Sequence, residues 1–151
     1  MNTKRTSMRK VVLALLLAVT VAAVVPVSAA QNVKVRPAIT VAQLAGPWQI
    51  AVVGNTGCGV SSLLFTGTLN ASGTATGTLT GSSAGCGPGS STQTFTITSL
   101  SSNGSGTAGL TCGSGCGWTF SIQVSPNKQV FNLVDVTDPA GNILAGTAVK
   151  Q

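Results

Sequence analysis

Histidine, tyrosine and glutamate are absent from this 151-residue chain, and its two acidic residues are Asp135 and Asp138. Without histidine there is no Ser–His or Cys–His nucleophile pair and no imidazole ligand for a metal. Paired-carboxylate hydrolysis needs two acids facing one gap, and two residues three apart on a strand point to opposite faces. The chain is therefore expected to be no enzyme, to hold no metal and to use no cofactor. Charge is equally scarce, with no Lys, Arg, Asp or Glu from Pro37 to Asn127. Of the 8 basic residues, Lys4, Arg5, Arg9 and Lys10 crowd the start, leaving only Lys34, Arg36, Lys128 and Lys150. Four scattered cations cannot follow a phosphate backbone, which excludes nucleic acid as a partner.

Long hydrophobic runs are also missing. The longest, Val11 to Val25, is broken only by Thr20 and falls short of the roughly 20 residues that cross a bilayer. It follows the basic start and precedes Ser28-Ala29-Ala30. That is the charged, apolar, small-residue order of a secretory signal peptide, with a cut expected before Gln31. The expected organisation is a cleaved signal peptide over 1–30, an extended linker over 31–43 and a single β domain over 44–151. The mature protein is expected to be secreted, periplasmic or on the cell surface, with no membrane span.

What is present in abundance is glycine and hydroxyl. All 19 glycines lie beyond residue 30, among many Ser and Thr. Apolar residues recur with period two: Leu63, Phe65 and Leu69; Phe95 and Ile97; Trp118, Phe120, Ile122 and Val124. Thr66 and Thr68, Thr96, and Thr119, Ser121 and Gln123 take the opposite face, the pattern of half-buried strands. Eight strands are expected, over 47–54, 60–69, 74–81, 92–100, 106–112, 116–124, 129–137 and 142–149. The Gly, Asn and Pro clusters between them supply turn conformations. Even, short strands with short turns predict an all-β, antiparallel, eight-stranded up-and-down barrel, with a two-sheet β-sandwich as the alternative. Asn70-Ala-Ser-Gly-Thr-Ala75 and Asn103-Gly-Ser-Gly-Thr-Ala108 also suggest an internal repeat of turn and strand, as do three Gly-Cys-Gly steps.

Gly46-x-Trp48 at the first strand resembles the signature of the calycins, the lipocalin and avidin group. The resemblance implies an up-and-down barrel in which Trp48 closes one end and a small ligand enters at the other. The chain offers no late arginine to pack on the tryptophan, so only the role of Trp48 is carried over.

Cys58, Cys86, Cys112 and Cys116 are an even set in an exported chain, which argues for disulfides over a thiolate metal site. Three pairings exist. In a meander alternate turns share an end, so all four gather at one rim, opposite Trp48. The spacing favours Cys112–Cys116 across one hairpin and Cys58–Cys86 between two turns. If the calycin likeness holds, that rim is the open one.

Thr74, Thr76, Thr78 and Thr80, and then Thr92, Thr94, Thr96 and Thr98, form ladders that resemble those of ice-binding proteins. The β propensity of Thr on a wet face accounts for them as well. The expected interior is Trp48, Phe65, Phe95, Trp118, Phe120 and Phe131, with Gly67, Ala75, Gly77, Ala108 and Ala145 as small fillers. Two functions fit. One is a module binding a small, neutral, apolar ligand in the barrel mouth. The other is a structural or surface-interaction protein of the cell envelope, adhesive or self-assembling, with a solid core.

Overall fold

The structure is a computed structural model that describes residues 37–112, 116–137 and 143–151, without the side chains of Cys112 and Cys116. The expected signal peptide and the first part of the expected linker lie outside the described residues.

Eight strands follow one short 3-10 turn, Val41–Leu44: β1 Gly46–Thr56, β2 Gly59–Leu69, β3 Thr74–Ser83, β4 Gly87–Leu100, β5 Ser105–Cys112, β6 Cys116–Val124, β7 Val130–Asp135 and β8 Ile143–Lys150. Each pairs antiparallel with its sequence neighbours, and β1 also pairs with β8, closing a barrel. The up-and-down barrel is thus the architecture, and the sandwich alternative falls away. Closure leaves no strand edge unpaired.

Period two sets the two faces of the wall. Inside lie Trp48, Ile50, Val52, Phe65, Leu69, Phe95, Ile97, Leu110, Phe120, Ile122, Phe131 and Leu133, all buried. Outside, Thr76 faces Thr94, and Thr78 faces Thr92, across the β3–β4 ladder. Of the expected small fillers, Ala145 is instead exposed. The inward residues of β8 are Leu144, Gly146 and Ala148. Alanine is too weakly apolar to betray its face. The core also reaches further upstream than the sequence placed it. Ile39, inside the stretch expected as linker, is buried, and its N–H donates to the Ser102 carbonyl at 3.0 Å.

Even strand number and alternating direction sort the turns onto two ends. At the end where β1 begins, three turns share one geometry. Gly73, Gly104 and Lys128 donate N–H to the carbonyls of Asn70, Ser101 and Ser125, respectively. The last residue of each has positive φ, at 86°, 89° and 60°. These bonds match Gly73 to Gly104, whereas the sequence echo aligns Gly73 with Gly106. The sequence echo is structural in its side chains, since Asn70 Oδ1 and Asn103 Oδ1 each accept the N–H and hydroxyl of the serine two residues on, while the backbone turns repeat two residues out of step with it.

Trp48 plugs this end. Its indole N–H donates to the Leu44 carbonyl at 2.7 Å, and its ring lies 4.8 Å from that of Phe131. The cation over it is Lys150, whose Nζ stands 6.0 Å from the ring centroid. A chain of rings continues inward, with Phe131 to Phe95 at 6.0 Å and Phe95 to Phe65 at 6.2 Å. Together they fill the closed half of the barrel.

Candidate functional site: the disulfide-bound mouth

The other end carries the β1–β2 and β3–β4 turns, tied by the Cys58–Cys86 disulfide with its Cα atoms 5.5 Å apart. The backbone laces the same two turns, with Gly85 N–H donating to the Cys58 carbonyl at 2.8 Å and Ala84 N–H to the Val60 carbonyl at 2.9 Å. Cys112 and Cys116 face each other in the β5–β6 ladder, at the same end. Their expected bond lies outside the described residues.

The β3–β4 hairpin is longer than the sequence reading placed it. β4 begins at Gly87, well before the expected residue 92, because Gly87 to Ser91 pairs with Ser83 to Leu79. The glycine-rich stretch expected as loop is a strand whose missing side chains leave it slender. Only Ala84-Gly85-Cys86 turns, and Gly87 takes φ 71°, a conformation suited to glycine.

Above the ring stack the inward residues become small or hydroxylic, and the barrel opens into a cavity of about 850 Å³. Leu63, Leu79 and Trp118 form its apolar wall, and Ser61, Ser91 and Thr137 its polar one. This volume falls within the roughly 300–1,000 Å³ range of small-molecule sites. Ser61 is buried and shares a 2.8 Å hydrogen bond with Thr56, whose hydroxyl also accepts the Cys58 N–H at 3.2 Å. The hydroxyl cluster thereby holds the base of the bridged turn.

Of the residues expected inside, Trp48, Phe65, Phe95, Phe120 and Phe131 are fully buried, but none lines the cavity. Trp118 is inward yet only half-buried, at the mouth and not at the closed end. Sequence reasoning missed Leu79, Ser61, Ser91 and Thr137. It also missed two polar residues just beneath them, Gln93 and Asp135. Gln93 is on the inward face of β4, one step deeper than Ser91. Asp135 stands opposite Phe120 in the β6–β7 ladder, so it shares that residue's inward face. Parity with Phe95 and with Leu133 was the signal that would have found them.

No protein-family model, curated protein or solved structure matches this chain. The closed eight-stranded antiparallel barrel is compatible with a calycin-like fold.

Proposed function

We propose that this chain is an exported, non-catalytic barrel that takes a small ligand with an apolar body into the mouth beside Cys58–Cys86. The cavity of about 850 Å³ carries this reading. Support comes also from the doubly laced turns around it, which preorganise the site and so lower the ordering cost of binding. Export is supported by the disulfide, which persists in oxidising compartments, and by the signal-like start. Among the described residues no helix is long and apolar enough to cross a membrane. Kinship with the calycins is part of the same proposal, resting on Gly46-x-Trp48 and the closed barrel.

Titration with a neutral apolar dye, N-phenyl-1-naphthylamine, tests the binding reading. Nothing lies within 4 Å of where a Cβ on cavity-lining Gly89 would stand. Gly89→Trp is therefore expected to project its ring into the mouth from a position with room for the first side-chain atom. Dye binding by the parent chain, lost by about tenfold or more in the folded variant, is expected; that loss corresponds to about 1.4 kcal/mol. Equal affinity in both, or no binding by the parent, defeats the proposal. The mass of protein recovered from outside the producing cell tests export, with a first residue of Gln31 expected.

The outer wall favours a second reading, surface interaction by self-association. Val134, Ala145 and Val53 are direct cross-strand neighbours on the outside of β7, β8 and β1. Val53, Val60 and Ile143 are 62%, 73% and 66% exposed. Contiguous exposed apolar surface of this kind marks association sites. The strip bears no charge, so nothing on it opposes a second copy of itself.

A further inference from the structure

The binding reading leaves open what the ligand carries at its buried end, and two oxygen atoms bear on that. Gln93 Oε1 and Asp135 Oδ2 are buried and have no hydrogen-bond partner. Gln93 is only 6% exposed, and its amide N–H donates to Ser91 Oγ at 2.7 Å. Asp135 Oδ1 accepts the Thr137 N–H at 2.8 Å and also the Thr137 hydroxyl, while Oδ2 receives nothing. Ser91 and Thr137 line the cavity, so each side chain that carries an orphan oxygen is bonded, through its other polar atom, to a residue of the cavity wall. Both lie on the mouth side of the Phe95–Phe131 ring pair. Gln93 is the next inward residue after Phe95, and Asp135 follows Leu133 beyond Phe131.

A buried acceptor without a donor costs about 1–3 kcal/mol, and more when charged. An ionised carboxylate is acceptor-only, so its partner must bring the proton. Among the described residues none does so. Both described lysines are at the far end, Lys128 in the β6–β7 turn and Lys150 over Trp48. The hydroxyls of Thr56 and Ser61 are engaged with each other and with the Gly59 carbonyl. The anionic side chain that faces inward therefore lacks a counter-charge beneath an open, apolar-walled mouth.

We propose, building on the binding reading, that the ligand is a small amine held as its ammonium. Its N–H groups go to Asp135 Oδ2 and Gln93 Oε1, which a side-chain rotation of half-buried Asp135 brings to the cavity. Its hydrocarbon body lies toward the mouth against Leu63, Leu79 and Trp118. This proposal puts a cationic ligand where the sequence reading expected a neutral one.

Three probes with one hydrocarbon chain and different heads make the test: hexylamine, 1-hexanol and hexanoate, each competing against N-phenyl-1-naphthylamine at neutral pH. Hexylamine is expected to displace the dye at about tenfold lower concentration than hexanol, the yield of one charge-assisted hydrogen bond. Hexanoate is expected to be the weakest. Asp135→Asn keeps an oxygen for the Thr137 N–H; it should bring hexylamine to the level of hexanol when both are compared on that variant. Gln93→Met should remove part of the preference. The proposal is overturned if hexylamine is no better than hexanol on the parent chain, or if the preference survives Asp135→Asn. If that variant shows no melting transition, an undiminished preference in Gln93→Met overturns it instead. Absence of dye binding to the parent chain sinks the binding reading itself, whereas dye binding without an amine preference sinks only the ligand class.

Discussion

Gly77 faces Gly67 directly across the β2–β3 ladder, and the ring of Phe65 occupies the place where a side chain on either would stand. The Phe65 Cζ is 2.8 Å from a Cβ built on Gly67 and 2.9 Å from one built on Gly77. The pair of glycines is thus a seat for one aromatic ring, and the ring is one of the four that fill the closed half of the barrel.

Gly77→Ala is expected to destabilise the fold by about 2–3 kcal/mol, the upper part of the range for overpacked cores. Its Cβ would strike the Thr66 carbonyl and the Gly67 backbone, neither of which can swing aside. Gly89→Ala, in open space, should fall within about 0.5 kcal/mol of the parent. Urea melts of the two variants check the contrast; equal midpoints would refute the seat.

Lys128 is the one described non-glycine residue at positive φ, in a turn whose two counterparts use Gly73 and Gly104. The left-handed conformation costs a side-chain-bearing residue about 1–2 kcal/mol, part of which glycine returns through its more flexible unfolded chain. Lys128→Gly should stabilise by about 0.5–1 kcal/mol. A thermal midpoint that falls on this substitution would contradict the shared turn geometry.

The Cys58–Cys86 bridge spans a separation of 28 residues. By the loop-entropy relation it contributes about 3–4 kcal/mol. Replacing both cysteines with serine should lower the stability by that amount and weaken dye binding through a looser mouth. The melting curve and the dye titration read the two effects separately, and an unchanged midpoint would make the bridge incidental.

Sedimentation velocity tests the outer strip. If Val134, Ala145 and Val53 meet a second copy, the parent chain sediments as an oligomer, and Val53→Lys shifts it to the monomer. A parent chain that is monomeric at high micromolar concentration removes the self-association reading.

The wall of the barrel was legible in the sequence, and its axis was not. Alternation of Phe95 and Ile97 with Thr94, Thr96 and Thr98 told inside from outside, because side chains on a strand alternate. It said nothing of depth. Trp118 and Phe120 read as equivalent, yet one borders the mouth and the other is core. Depth depends on how eight registers add up around the closed sheet, a property of no single segment. The site suffered most from this. Gln93 and Asp135 sit in inward positions, but polarity argued against them locally, and only closure places them beneath the cavity. The disulfide Cys58–Cys86 was legible because strand direction brings all four cysteines to one end and the short Cys112–Cys116 spacing favours that pair across its own hairpin. The early start of β4 was not, since Gly87 to Gly89 carries turn residues and only its pairing with Ser83 to Gly81 makes it a strand.

Trp48 is opposite Lys150 in the ladder that joins the first strand to the last. An even number of strands returns the chain to the face it left. Ile39, just ahead of the barrel, bonds the Ser102 carbonyl on that same face. A handle fused after Gln151 or ahead of Pro37 therefore leaves the barrel from its sealed base. Coupled to a bead, a sensor chip or a filament through either end, the domain would stand like a cup on its foot, with the opening turned to the surrounding liquid and free to sample it.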